Sequence, residues 1–233
     1  MISDGPERVF DREALAREAL RINQRFNDEV VVAFDICPYA RMAFVDRTVL
    51  RSVVLPNSID DFAGTLDVIT AWERDPSLPE IGLLIFPTLS VTPRHFEQFN
   101  AAVRASCKDR SIGSPMFVHA VFHPDYPTDA RSPDSLVYYF RRSPDPLIQL
   151  VRHSTLERVR GTGHGTKLFD PGRMDMDSYL AAPTRDVTER ITRDNYAFAM
   201  DGGRVRVDAI LADIAEDRKR AYATCGFGSH GAP

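Results

Sequence analysis

A chain of 233 residues suits one domain with a small appendage, and its 43% hydrophobic and 27% charged content is that of a globular protein. A net charge of -4, with no basic stripe carrying interleaved aromatics, gives no reason to expect nucleic acid. The longest apolar runs, near residues 30–34 and 82–86, are far short of a membrane span, so no membrane partner is expected either. Cysteines at 37, 107 and 225 form neither a disulfide framework nor a zinc knuckle, and the first residues lack the apolar stretch of a signal peptide. The expected location is cytoplasmic.

Asp11 is a suitable N-cap with Glu13 in the first turn, and Leu15, Ala19, Ile22 and Phe26 recur at helical spacing, which predicts a helix over 11–27. Residues 30–37 are apolar and read equally as a second helix or a short strand, ending at Cys37-Pro38. A strand is predicted over 48–55. Ser58 and Asp61 match a capping pattern, and Phe62, Leu66, Ile69 and Glu73 give the next helix its stripe. Residues 80–86 form a continuous apolar run, the mark of a strand covered on both faces. Thr92-Pro93 then opens a helix carrying Phe96, Phe99, Val103 and Cys107.

A proline-bounded run over 115–123 predicts an interior strand, with Phe117, Val118, Val121 and Phe122 as its strand-favouring residues. His119 and His123 then share one face, their α-carbons about 13 Å apart at about 3.3 Å per residue, too far for one metal ion. A loop is expected over 124–145, a strand over 146–151 and a short helix over 154–160. Residues 161–167 are glycine-rich without the spacing of a phosphate-binding loop. Helices are expected over 186–196 and 208–222, with Asp201-Gly202-Gly203 as a turn or the start of a hairpin through Val205 and Val207. The tail 226–233 is glycine-rich and expected to be disordered.

This order predicts an α/β (or α+β) fold, a single mixed sheet of about four or more strands covered by helices. The whole chain, 1–233, is expected to be one domain, with its core at about 10–160 and a helical C-terminal extension at about 184–223.

Candidate chemistry gathers in three places. His123, at a strand end before Pro-Asp-Tyr126, suits an axial iron ligand, a general base or a turn hydrogen bond. Arg141 and Arg142 face opposite ways if strand-borne, so one could meet a carboxylate, while the plainer expectation is a surface pair with Asp145 or Asp134. Cys37 is a small hydrophobe or a reactive thiol. Asp125 and Asp129 read as turn residues rather than a catalytic carboxylate pair.

Cys37-Pro-Tyr-Ala40, Phe122-His-Pro-Asp-Tyr126 and Arg142-Ser-Pro-Asp-Pro-Leu-Ile-Gln-Leu-Val-Arg152, in this order across residues 30–160, resemble an uncharacterised bacterial domain family. More distantly, the His-Pro strand end, the arginine-rich turn and Pro-Leu-Ile-Gln-Leu150 are similar to the YqcI/YcgG family, which includes haem-dependent guanidino N-hydroxylases. That resemblance implies haem as cofactor and His123 as its axial ligand. It also implies Arg141 or Arg142 at a propionate or the substrate, with Tyr126 and Phe122 lining the cofactor and Cys37 and Arg142 in catalysis. The function it implies is a haem-dependent monooxygenase acting on a small amino- or guanidino-containing substrate. Phe117, Phe122 and Leu147 are the apolar residues expected to enclose the porphyrin. The alternatives are a non-catalytic small-molecule-binding or regulatory domain, and a thiol enzyme using Cys37 with His123 or His153 as base. A homodimer is left open.

Overall fold

The computed structural model describes residues 10–37, 43–44, 48–75, 80–110, 116–129, 132–160 and 193–228. Helix α1 (Arg12–Phe26) begins where Asp11 accepts a hydrogen bond from the Ala14 N–H at 2.9 Å, and it buries Leu15, Ala19, Ile22 and Phe26 as their spacing dictates. The helix does not stop there. It widens into a π-helical segment, Asn27–Val32, so the ambiguous stretch 30–37 begins as helix, and Asp35 at φ 52° ends it.

Four strands follow, alternating with helices. They are β1 (Val49–Val53), β2 (Ile81–Ile85), β3 (Phe117–Phe122) and β4 (Leu147–Arg152). The helices are α2 (Ala63–Arg74), α3 (Pro93–Arg110), α4 (Pro133–Phe140) and α5 (His153–Arg160), with α6 (Arg204–Thr224) completing the described chain. The strands form one sheet in the order β1-β2-β4-β3. β1 and β2 are parallel, and β4 runs antiparallel to both β2 and β3. β1, β2 and β3 therefore point the same way, with β4 inserted against them. This is the mixed α/β sheet that the alternation predicts.

The sheet alternates cleanly between its two helical layers. Leu84, Phe86, Phe117, Val121, Ile148 and Leu150 pack with Leu66, Ile69 and Trp72 of α2 and with Phe96, Phe99 and Val103 of α3. Leu83, Ile85 and Leu147 pack on the other side against Leu15 and Ala19 of α1 and Tyr222 of α6. Each fully buried side chain of this size contributes about 1.5–3 kcal/mol of transfer free energy. Gly82 is required by α2, because a Cβ there would lie 2.2 Å from the Trp72 ring.

Four expectations need correction. β3 is a strand, but it lies at the edge of the sheet and not in its interior. Its unbroken burial comes from helices on both faces, and its flanking proline suits an edge. The expected loop 124–145 holds helix α4, opened by Ser132 in a reciprocal capping box with Ser135 and a proline at the first turn. Ser58 and Asp61 do not cap α2. They accept hydrogen bonds from Asp60 and Asn57 within the preceding turn. No hairpin starts at 201. Gly202, at φ +76°, kinks one helical rod, and α6 carries Val205 and Val207.

The described part of the expected C-terminal extension, residues 193–224, packs on α1 rather than standing apart. Arg21 and Arg25 of α1 meet Asp217 at 2.7 Å, and Arg25 also meets Asp213. Phe227, in the segment expected to be disordered, packs at 5.3 Å from Phe10 and 6.2 Å from Tyr222. The glycine-rich 161–167 lies outside the described residues, as do most of the helix expected over 186–196 and residues 229–233. No helix among the described residues is long and apolar enough to cross a membrane.

Candidate functional site

The three parallel strands deliver their carboxyl ends to one side of the sheet, the side on which α/β folds place their sites. There β3 ends in His123, while the N-terminal end of β4 brings residues 141–146. The His123 N–H donates to the Arg141 carbonyl at 3.0 Å, and the Phe86 N–H donates to the Pro146 carbonyl at 2.9 Å. The His-Pro-Asp-Tyr and Arg-Ser-Pro-Asp-Pro elements therefore meet.

His123 is the centre of its turn. Its side chain is 1% exposed, and its ring lies 5.9 Å from Phe96 and 6.1 Å from Tyr126. The Asp125 N–H donates to its Nδ1 at 3.1 Å. A backbone N–H can only donate, so Nδ1 holds a lone pair and the proton of the neutral ring sits on Nε2. Burial pushes the His123 pKa down and outweighs the opposing pull of Asp125, Val91 and Glu97, which keeps the ring neutral. Nε2 has no partner of normal hydrogen-bond geometry, although the Val91 carbonyl is close enough to favour the protonated ring.

Tyr126 donates to Glu97 of α3 at 2.8 Å, and its ring meets Tyr138 edge-on at 5.1 Å. Burial, and then the Glu97 carboxylate, push the Tyr126 phenol far up, so it stays protonated. Arg141 caps α4 and lies 6.0 Å from the Phe122 ring. The two arginines follow a helix and not a strand, so their expected opposition across a sheet does not apply. Arg142 lies 4.1 Å over Tyr139 and pairs with Asp208 of α6 at 2.5 Å, while Asp145 pairs with Arg218. Arg204 stands 5.5 Å from the same ring and donates to the Thr128 carbonyl at 3.2 Å, with its Nε buried and unpartnered.

Asp145 is the buried anion of this region. Tyr222 donates to it at 2.6 Å and Arg218 at 2.7 Å, while the Ser143 hydroxyl donates to its carbonyl. Both donors come from α6, about 75 residues further along the chain, and no local pattern announces them. Glu97, Asp208 and Arg204 escaped the sequence reading for the same reason.

Cys37 is half-buried and follows Ile36, which packs with Leu136, Tyr139 and Phe140 on the α6 side of the sheet. The His123 ring instead turns toward α3. His153 leaves β4 beside Met116, at the opposite end of the sheet from His123. His119 shares the α3 face with His123, as alternation predicts, and its Nδ1 bonds the Asn100 amide oxygen at 2.9 Å.

The described residues do not fit the haem implied by the weaker resemblance. The Asp125 N–H occupies the lone pair of Nδ1 and leaves Nε2 protonated, whereas an iron ligand needs an unprotonated nitrogen. Phe117 also faces α3 while Phe122 and Leu147 face the other way, so the three enclose no common space. Among the described residues no group of three or more His, Cys, Asp or Glu side chains could hold a metal ion.

Fold and site together define a mixed α/β domain with polar loops gathered where its parallel strands end. The chain belongs to a family of proteins of unknown function, DUF1415, whose model matches residues 19–165. The motif resemblance is borne out at the level of an uncharacterised family. No curated protein and no solved structure matches the chain.

Proposed function

We propose that this domain binds a small molecule through an acceptor oxygen at the carboxyl end of β3. The observation that supports this is the buried Nε2–H of His123, a donor without a partner of normal geometry in a turn whose other polar groups are served. Leaving such a donor unmet inside a protein costs about 1–3 kcal/mol, and a ligand carboxylate or carbonyl removes that cost. Tyr126 and Glu97 form one wall beside it, and Arg141 places a cation near Tyr126. Neutral His123 orients the ligand by donating, and its depressed pKa keeps that role through the physiological range.

The test is a thermal-shift screen of small carboxylates, amides and guanidino acids on the full chain, repeated on His123→Leu and His123→Gln. A ligand raises the wild-type Tm by mass action. The rise disappears in His123→Leu and partly survives in His123→Gln, whose amide keeps a donor. Equal stabilisation of wild type and His123→Leu by the same compounds overturns the reading. A Soret band that survives desalting, in protein expressed with a haem precursor, would restore the haem-bound reading in its place.

A further inference from the structure

Arg51 lies in the middle of β1, at the opposite edge of the sheet from β3. Three strand spacings of about 4.8 Å, or about 14 Å sideways, separate those two strands. Strand alternation turns Arg51 toward α1 along with Val49 and Val53. Its Nε donates to the side-chain oxygen of Asn23 at 3.0 Å. That oxygen is already shared, because the Asn27 amide donates to it at 2.9 Å. The Phe44 ring covers the guanidinium at 5.0 Å. Nη2 is buried and has no partner. Asp28 is the carboxylate whose field reaches Arg51, but it accepts its hydrogen bond from Gln24, and burial of the guanidinium outweighs its pull.

Three other arginines partly withdrawn from water are met by carboxylates. Arg218 has Asp145, Arg142 has Asp208, and Arg25 has Glu29, Asp213 and Asp217. At Arg51 the described residues supply one neutral amide oxygen to a delocalised cation, and an aromatic ring covers part of it. With its Nε held by Asn23, the guanidinium keeps Nη1 and the buried, unpartnered Nη2 as its remaining donors, the pair that in a guanidinium can take two oxygens of one anion.

We propose that Arg51, held by Asn23 and covered by Phe44, is a receptor for a compact oxyanion, a carboxylate or a phosphate group. The site stands apart from the His123 turn and does not depend on that reading. Asn23 sets the rotation of the guanidinium, Phe44 closes one face of it, and the anion supplies the directly bonded counter-charge that the described residues do not. The site is a recognition element, and no bond is made or broken there.

The experiment follows the Arg51 Nε–H resonance of the full-length protein by nitrogen–proton correlation spectroscopy. Sodium phosphate and sodium acetate are titrated separately at constant ionic strength, with sodium chloride as the control. A saturable shift with phosphate, acetate or both, and none with chloride, is the expected result, and the stronger probe names the anion class. No shift with either overturns the proposal. Arg51→Gln weakens the affinity read by calorimetry at least tenfold, and Arg51→Lys retains part of it. Unchanged affinity in Arg51→Gln also overturns the proposal. Should Arg51→Gln fail to fold, the wild-type titration decides alone. His123→Leu leaves the Arg51 titration as it was, so the two sites fail or stand separately.

Discussion

Asp145 and Arg51 are both ionic groups drawn out of water, and the fold treats them in opposite ways. Asp145 is 3% exposed and receives a phenol and a guanidinium from α6. Arg51 receives a single amide oxygen. The first closes on itself and ties α6 to the start of β4. The second has no carboxylate bonded to it among the described residues. His119 and His123 repeat the contrast on one face of one strand, since the first is paired with Asn100 and the second has only the Val91 carbonyl near it, outside normal hydrogen-bond geometry. Burial alone therefore does not tell these groups apart, and the completeness of their partners does.

The largest expected effect breaks that comparison at its closed end. Asp145→Ala leaves the half-buried Arg218 and the buried Tyr222 hydroxyl without their acceptor and lowers stability by about 3 kcal/mol, read by urea unfolding. Arg51→Met removes a half-buried charge that no described carboxylate bonds directly, and shifts stability by about 1 kcal/mol or less in either direction. Comparable losses in the two variants would erase the distinction.

A smaller effect is expected in acid. Burial, and then the Arg104 charge, push the His119 pKa down to about 3, so the unfolded chain binds a proton that the folded chain refuses. Its contribution is complete above about pH 6.5 and is lost as pH falls toward 3, by at most about 1.4 kcal/mol per pH unit. The depressed His123 acts with the same sign. Unfolding free energies measured from pH 7 to 4 fall less steeply in His119→Gln than in wild type, and parallel slopes would contradict this.

The smallest effect belongs to the surface. Asp217 meets Arg21 and Arg25 at 2.7 Å, and these hydrogen bonds push its pKa well down. The group stays partly solvated, so Asp217→Asn costs about 1 kcal/mol or less, and less still in high salt. A loss matching that of Asp145→Ala would show that the α1–α6 contact relies on the surface network and not on its apolar side.

The sheet was legible in the sequence because its signals are local. Prolines bound β3, Val, Ile and Leu fill β2 and β4, and Asp11 and Thr92 cap their helices within three residues. Helix α4 was hidden because proline, aspartate and serine read as loop until Ser132 and Ser135 are seen to cap each other. The edge position of β3 was hidden because helices on both faces bury an edge strand as fully as a central one. At the site, Tyr126, Arg142 and Asp145 were legible from their motifs. Their partners, Glu97, Asp208 and Arg218 respectively, lie on other helices, where a charged residue looks like any solvated one.

The last of the described strands to be made is a central one. β3 has no neighbour until β4 exists, and the facing edge of β2 is bare for the same interval. The thirty residues from the end of β3 to the end of β4 take roughly 2–6 s to synthesise at about 5–20 residues per second. Throughout that time a nascent chain shows two unpaired strand edges, one of them the apolar Ile81–Ile85, before the insertion of β4 joins them. Chains halted before residue 147 are expected to aggregate on release, and chains extended past residue 152 to do so less.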